Sequence, residues 1–403
     1  MKTFPVEQPG RPVGHWLRAL GLSLLTALAI VACGGGSDLA GVGSGGTGSF
    51  SIGTITGFGS VFVNGQRYDD VNASVSDEDG PRNRADLRLG MVVTVQGSVS
   101  TSGSATASSI AFDSELLGPV EVGSVNPSSK TFAILGQTVV VAAGTVFDAQ
   151  LPMGLSSIRA GQTLEVHGFV NSIANTLQAG FIAPSNSPGK YKIGGTVSSL
   201  QNGARTFRIG SVAVSYAGLD GPGFPQGLAD GVFVKVRLAP GAPNTAGARQ
   251  AIGLRFSKPS VADQPSAEIE GLITSFTSPA QFSVGTIPVD ARNASFPDGT
   301  AGLVQGARVE VKGAVAAGTL LARQVKLEDP MAESQIELKG SVSAADNAAR
   351  TFVVRGVTVS YAGVVQYQKG SQADLRDGAK VQVKGQVAPN SAIVNASGIE
   401  FDD

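Results

Sequence analysis

"LVQGARVEVKG", Leu303–Gly313, decides how the rest of the chain reads. Val309 and Val311 alternate with Arg308, Glu310 and Lys312, the period-two pattern of a strand with one buried face. Gly306 lets the chain turn with positive φ before that strand, and Gly313 is expected to end it. The pattern returns as "LRLGMVVTVQG" (87–97), "IRAGQTLEVHG" (158–168), "LADGVFVKVRL" (228–238) and "LRDGAKVQVKG" (375–385). Leu238 stands where the other copies close on glycine. Recurrence at a spacing of this size marks one supersecondary unit used repeatedly.

The flanks repeat as well. Upstream of each copy a short strand opens at Gly53, Gly118, Gly195, Gly271 or Gly340. A phenylalanine-led strand and turn follow: "FVNG" (62–65), "FAILG" (132–136), "FRIG" (207–210), "FSVG" (282–285) and "FVVRG" (352–356). These rings are the largest side chains of each unit and are expected to plug its core. Downstream, each copy closes with a strand such as "ASSIAF" (107–112) or "ASGIEF" (396–401). Before the motif, "SQADLRDG" (371–378) reads as one helical turn, capped by Ser371 and stopped by Gly378.

Three strands, a short helical turn and two strands follow the order of the OB-fold. The expected fold class is all-β: a tandem array of about five small OB-like β-barrels in a row, after a signal peptide and a flexible linker. Small β-sandwiches are the alternative. The units are expected at 51–115, 116–184, 193–256, 267–328 and 336–403, separated by Pro-rich polar connectors. The break at "DSELL" (113–117) is tighter, so units one and two are expected to pack closely.

Composition narrows the function classes. Of 403 residues, 54 are glycine and 15% are charged, which suits short strands and tight turns. The net charge of −1 offers no basic excess to neutralise phosphates, so nucleic acid is not an expected partner. A single cysteine, Cys33, forms no internal disulfide and no multi-thiolate zinc site. His167 is the one histidine beyond it, which excludes a histidine-rich metal centre.

Residues 1–32 have the form of a secretory signal. Lys2, Arg11 and Arg18 precede a run without charge, Ala19–Ala32, shorter than the roughly 20 residues that span a bilayer. Ile30-Val31-Ala32-Cys33 resembles the lipobox of bacterial lipoproteins. That resemblance implies cleavage before Cys33, a lipid on its sulfur and, with Gly34 rather than Asp following, sorting to the outer membrane. Residues 33–50 read as the lipidated cysteine and a Gly/Ser-rich tether.

The first unit, from "GTITGFGSVFVNGQRYDD" (53–70) through "ADLRLGMVVTVQGSVS" (85–100) to "ATASSIAF" (105–112), resembles domain-of-unknown-function family 5666, β repeats of bacterial lipoproteins. The resemblance is strongest there, weaker in the other units, and spans 53–401 in all. It implies export, repetition and β structure, and it supplies no activity and no catalytic residues.

Candidate chemistry is sparse. In "YDDVNASVSDEDG" (68–80), Asp77 and Asp79 are candidate Ca²⁺ ligands, but the spacing departs from a calcium loop and a solvated turn is the simpler reading. His167 takes the strand position held elsewhere by Gln96, Arg237, Lys312 and Lys384, which reads as an exposed face. Arg308, Lys312, Lys380 and Lys384 read as a solvated, mildly basic face. Tyr216 and Tyr361, equivalent in "VAVSYAG" and "VTVSYAG", read as packing residues. No catalytic set and no cofactor site is identified, and no ligand-binding residue is assigned. The expected function is therefore that of an exported lipoprotein held to the membrane through Cys33, a non-catalytic scaffold or binding module for an envelope protein or glycan. The alternative is an envelope enzyme or accessory subunit acting on glycans, which a cleft with converging carboxylates at a unit junction would favour.

Overall fold

The computed structural model describes residues 47–185, 189–219, 227–256, 261–329 and 335–402. In the unit that carries LVQGARVEVKG, the alternation becomes the strand Arg308–Ala316, with Val309 and Val311 fully buried. It pairs antiparallel with the unit's first strand, Gln264–Ser278, and with its last, Thr319–Glu328. The first strand turns into Gln281–Val284, which turns into Ile287–Asp290. Ile287–Asp290 then closes the ring by running parallel to the last strand. The circuit is first, second, third, fifth, fourth and back to first: a closed OB-like barrel, and not a sandwich of two sheets.

The same circuit closes elsewhere. Thr47–Phe58, Val61–Val63, Gln66–Asp69, Val92–Val99 and Ala105–Phe112 form one copy. Leu116–Pro119, Thr131–Ile134, Gln137–Phe147, Thr163–Asn171 and Thr176–Pro184 form another, completed by a bridge between Val120 and Ile134. Tyr191–Gln201, Thr206–Ile209, Val212–Ser215, Phe233–Leu238 and Arg249–Phe256 repeat it. So do Gln335–Asp346, Thr351–Val354, Val357–Ser360, Lys380–Val387 and Ile393–Phe401. The barrels are called the first to the fifth below, in chain order. Among the described residues there is no α-helix, and the expected helical turn appears as short 3-10 turns such as Gln372–Asp374. Ser371 holds that turn through its backbone N–H and hydroxyl, both donated to the Asp374 carboxylate at 2.9 and 2.8 Å.

The motif glycines explain why the pattern recurs. Gly378 has φ of 88°, and its N–H donates to the Val342 carbonyl of the first strand at 2.8 Å. Gly90, Gly161, Gly231 and Gly306 make the equivalent bond to Ile55, Val120, Val197 and Ile273. The closing glycine behaves differently from expectation. The strand continues past Gly313 to Ala316, and opposite Gly313 the fifth strand carries one extra residue, Arg323, as a β-bulge. The bulge brings the Leu321 carbonyl to where a Cβ at 313 would sit, 2.1 Å away. Gly97, Gly168 and Gly385 face the same arrangement.

The phenylalanine plugs sit as expected in four barrels: Phe132, Phe207, Phe282 and Phe352 are buried. In the first barrel Phe62 is only half-buried, because Val61 and Val63 take the inward positions on either side of it. Tyr216 and Tyr361 pack on Phe207 and Phe352 with ring centroids 5.9 and 5.8 Å apart, and their hydroxyls reach Asn202 and Asn347.

The barrels are not strung in a row. The first strand of the first barrel runs parallel to that of the fourth, Ser49–Ile52 beside Ser266–Ile269, and to that of the fifth at Gly57 and Phe58. The first strands of the second and third barrels meet at Leu116–Ile193 and Leu117–Lys192. A barrel of this type leaves an edge of its long first strand open, and mutual pairing covers it. The cores largely follow the same grouping: one joins barrels one and five and takes in Val146 and Phe181 of the second, one joins two and three, and the fourth has its own, completed by Phe50 of the first.

Candidate functional site

This packing leaves a cleft of about 450 Å³ where four barrels meet. The first barrel contributes Val92, Thr94 and Phe112 from its fourth and fifth strands. Phe169 comes from the fourth strand of the second barrel, just beyond the bulge glycine, and Phe233 and Phe256 from the third. Leu272, Glu270 and the turn at Gly285 and Thr286 form the wall supplied by the fourth. The four phenylalanines are each half-buried.

Five carboxylates line the cleft, and each faces a cation. Asp77 accepts from Arg82 at 2.5 Å. Glu78 meets Lys192 at 2.5 Å and also Arg255. Asp113 lies between Lys192 at 2.7 Å and Lys235 at 2.9 Å, and Lys235 reaches on to Glu115 at 2.7 Å. Glu270 accepts from Arg308 Nε at 2.9 Å and from the Thr54 backbone N–H at 2.9 Å. Arg308 in turn lies over the Phe169 ring, 4.9 Å from its centroid. Burial pushes the Asp113 carboxyl up, but Lys235 and Lys192 outweigh it and hold it below the ordinary carboxylate range. Burial likewise pulls the Lys235 ammonium down, and Glu115 with Asp113 more than reverses that. The seam joins acids of the first barrel and the 113–117 connector to bases of the third.

The candidates named from sequence fall differently. Cys33 and residues 1–32 lie outside the described residues. Asp77 and Asp79 lie at the turn of a hairpin, where Asp79 is exposed and binds Lys190 at 3.1 Å and Arg237. Among the described residues no group of three or more His, Cys, Asp or Glu is placed to hold a metal ion. His167 is 1% exposed, not on an open face. Its Nδ1 lies 3.1 Å from the Asp113 carbonyl oxygen, its Nε2 3.5 Å from Glu165, and its ring stands between Phe112 and Phe181. The outward side of its strand is covered by the neighbouring barrel's connector. Arg308 is likewise enclosed, whereas Lys312, Lys380 and Lys384 are exposed, Lys312 pairing with Glu268 and Glu310 at 2.7 and 3.0 Å. Sequence reasoning misses the cleft phenylalanines. One signal points to them: Phe112 and Phe256 end the fifth strands of the first and third barrels at equivalent positions.

Residues 118–183, 270–326 and 339–400 match the family model described as Domain of unknown function (DUF5666). These segments lie in the second, fourth and fifth barrels. The first barrel, where the resemblance reads strongest, is not among them. It carries an additional hairpin, Ser74–Asp77 with Gly80–Arg82, and the third barrel has Leu238 at the bulge. No curated protein matches the chain. A solved structure titled "drosophila Unr CSD456" aligns with 52% of this chain and 96% of its own length, at 13% identity and a TM-score of 0.13, and carries no argument about this one.

Proposed function

We propose that the chain is an exported bacterial lipoprotein, anchored through Cys33 at the outer membrane, that acts as a non-catalytic binding module of the cell envelope. The observation that carries the non-catalytic reading is the pairing of the cleft carboxylates. General acid catalysis needs a carboxyl that keeps its proton near the working pH. Here Asp113 is held below its ordinary range, and Asp77, Glu78, Glu115 and Glu270 each hold a cation. The second reading, an enzyme or accessory subunit acting on glycans, draws on the same convergence of carboxylates at a junction, and it requires one of them to be released from its partner.

The anchor is supported by the Ile30–Cys33 tetrapeptide and the glycines after it. In a bacterial host, Cys33→Ser should move the protein out of the membrane fraction or leave an uncleaved precursor. Unchanged processing and fractionation contradict the anchor.

A further inference from the structure

We infer that the cleft binds a neutral saccharide of one or two rings; this deepens the reading of the chain as a binding module and rests on it. Size comes first. About 450 Å³ lies within the range of small-molecule pockets and is too small for a folded partner. Next come the walls. Phe112, Phe169, Phe233 and Phe256 are half-buried and line the cleft, so part of each ring is open to a ligand. A phenyl face carries the negative lobe of its quadrupole, which suits the weakly positive C–H face of a sugar ring.

The charges then choose among ligands. Lys235 is held by Asp113 and Glu115, Arg255 by Glu78, and Arg308 by Glu270. A charged ligand would have to displace a partner from one of these pairs, which is costly at Lys235 and Arg308, where both partners are mostly buried; Arg255 is half exposed. An alkyl chain would cover the same charged groups and supply no hydrogen bond in return. A neutral polyol does neither: a carboxylate has about four acceptor sites, so one already holding a cation still accepts from hydroxyls. In the first barrel the cleft lies on the first, fourth and fifth strands, not on the face of strands two and three that OB-folds commonly use, whereas the fourth barrel meets it with Val284 and Ile287 at the turn between its second and third strands.

Saturation-transfer NMR on the full chain with cellobiose, chitobiose, maltose and lactose tests this, with glucuronate and the anionic amphiphilic dye 1-anilinonaphthalene-8-sulfonate as counter-probes. At least one disaccharide should give a signal. Phe169→Ala should weaken its binding roughly tenfold, and Thr286→Trp, which fills the cleft from a turn, should abolish it with thermal unfolding unchanged. The inference is overturned if no disaccharide binds, if Thr286→Trp binds as the parent does, or if glucuronate or the dye binds where the disaccharides do not. Each of these outcomes leaves the Cys33→Ser result untouched, so anchoring and ligand class fail separately.

Discussion

Glu268 lies in the first strand of the fourth barrel, directly beside Ser51 of the first. Burial pushes its carboxyl up to about 7; Lys312 pulls it down, and the like charge of Glu310 adds to the rise. In the unfolded chain the same group titrates near 4.3. Between those values the folded protein holds the extra proton, so this group's contribution is full below about 4.5 and is lost as pH rises through about 7. Glu268→Gln should therefore gain stability relative to the parent as pH is raised from about 5 to about 8, read from urea unfolding midpoints. A gap that does not change with pH contradicts the assignment. This residue was legible only in part. The alternation in "AEIEGL" (267–272) places Glu268 and Glu270 on the outside of a barrel, as it places His167 and Arg308. Period-two spacing separates inside from outside. It carries nothing about whether the outside meets water or another barrel.

At the scale of elements, two glycines of one motif do different work. Gly378 turns the chain at φ of 88°, and no atom lies within 4 Å of where its Cβ would be, so only backbone strain opposes a side chain. Gly385 has ordinary backbone, but the Asn395 carbonyl oxygen lies 2.2 Å from where its Cβ would be. Gly378→Ala should cost about 1–2 kcal/mol. Gly385→Ala should cost more, about 3 kcal/mol, because two paired strands must part. Denaturant unfolding of the two variants decides it, and equal losses contradict the distinction. The turn glycine was readable from sequence, since it precedes a strand and follows a capped turn. The bulge glycine was not. Its extra residue, Ser397, sits in a different strand, and nothing near residue 385 announces it.

The whole molecule is held partly by charge. Lys235 bridges Asp113 and Glu115 across the seam, with side chains 12%, 23% and 18% exposed. Lys235→Met should destabilise the protein by about 3–5 kcal/mol by leaving enclosed carboxylates short of a cation. Adding Glu115→Gln should recover part of that loss. A cost below about 1 kcal/mol, the range of solvated pairs, contradicts an enclosed seam. The closed barrels were legible because each is built from local hairpins and one repeated motif. Their arrangement was not, because the contacts between barrels join first strands far apart in the chain. The Thr54 N–H finds its acceptor on Glu270, 216 residues later. That separation sets an order of events. A growing or threading chain presents the Ser49–Ile52 edge long before Ser266–Ile269 exists to cover it. Until then the strand is a ready template for any other extended chain. The interval is set by the rate at which the chain is delivered, so slow delivery lengthens the exposure to aggregation, and a holdase that caps this one edge would shorten it.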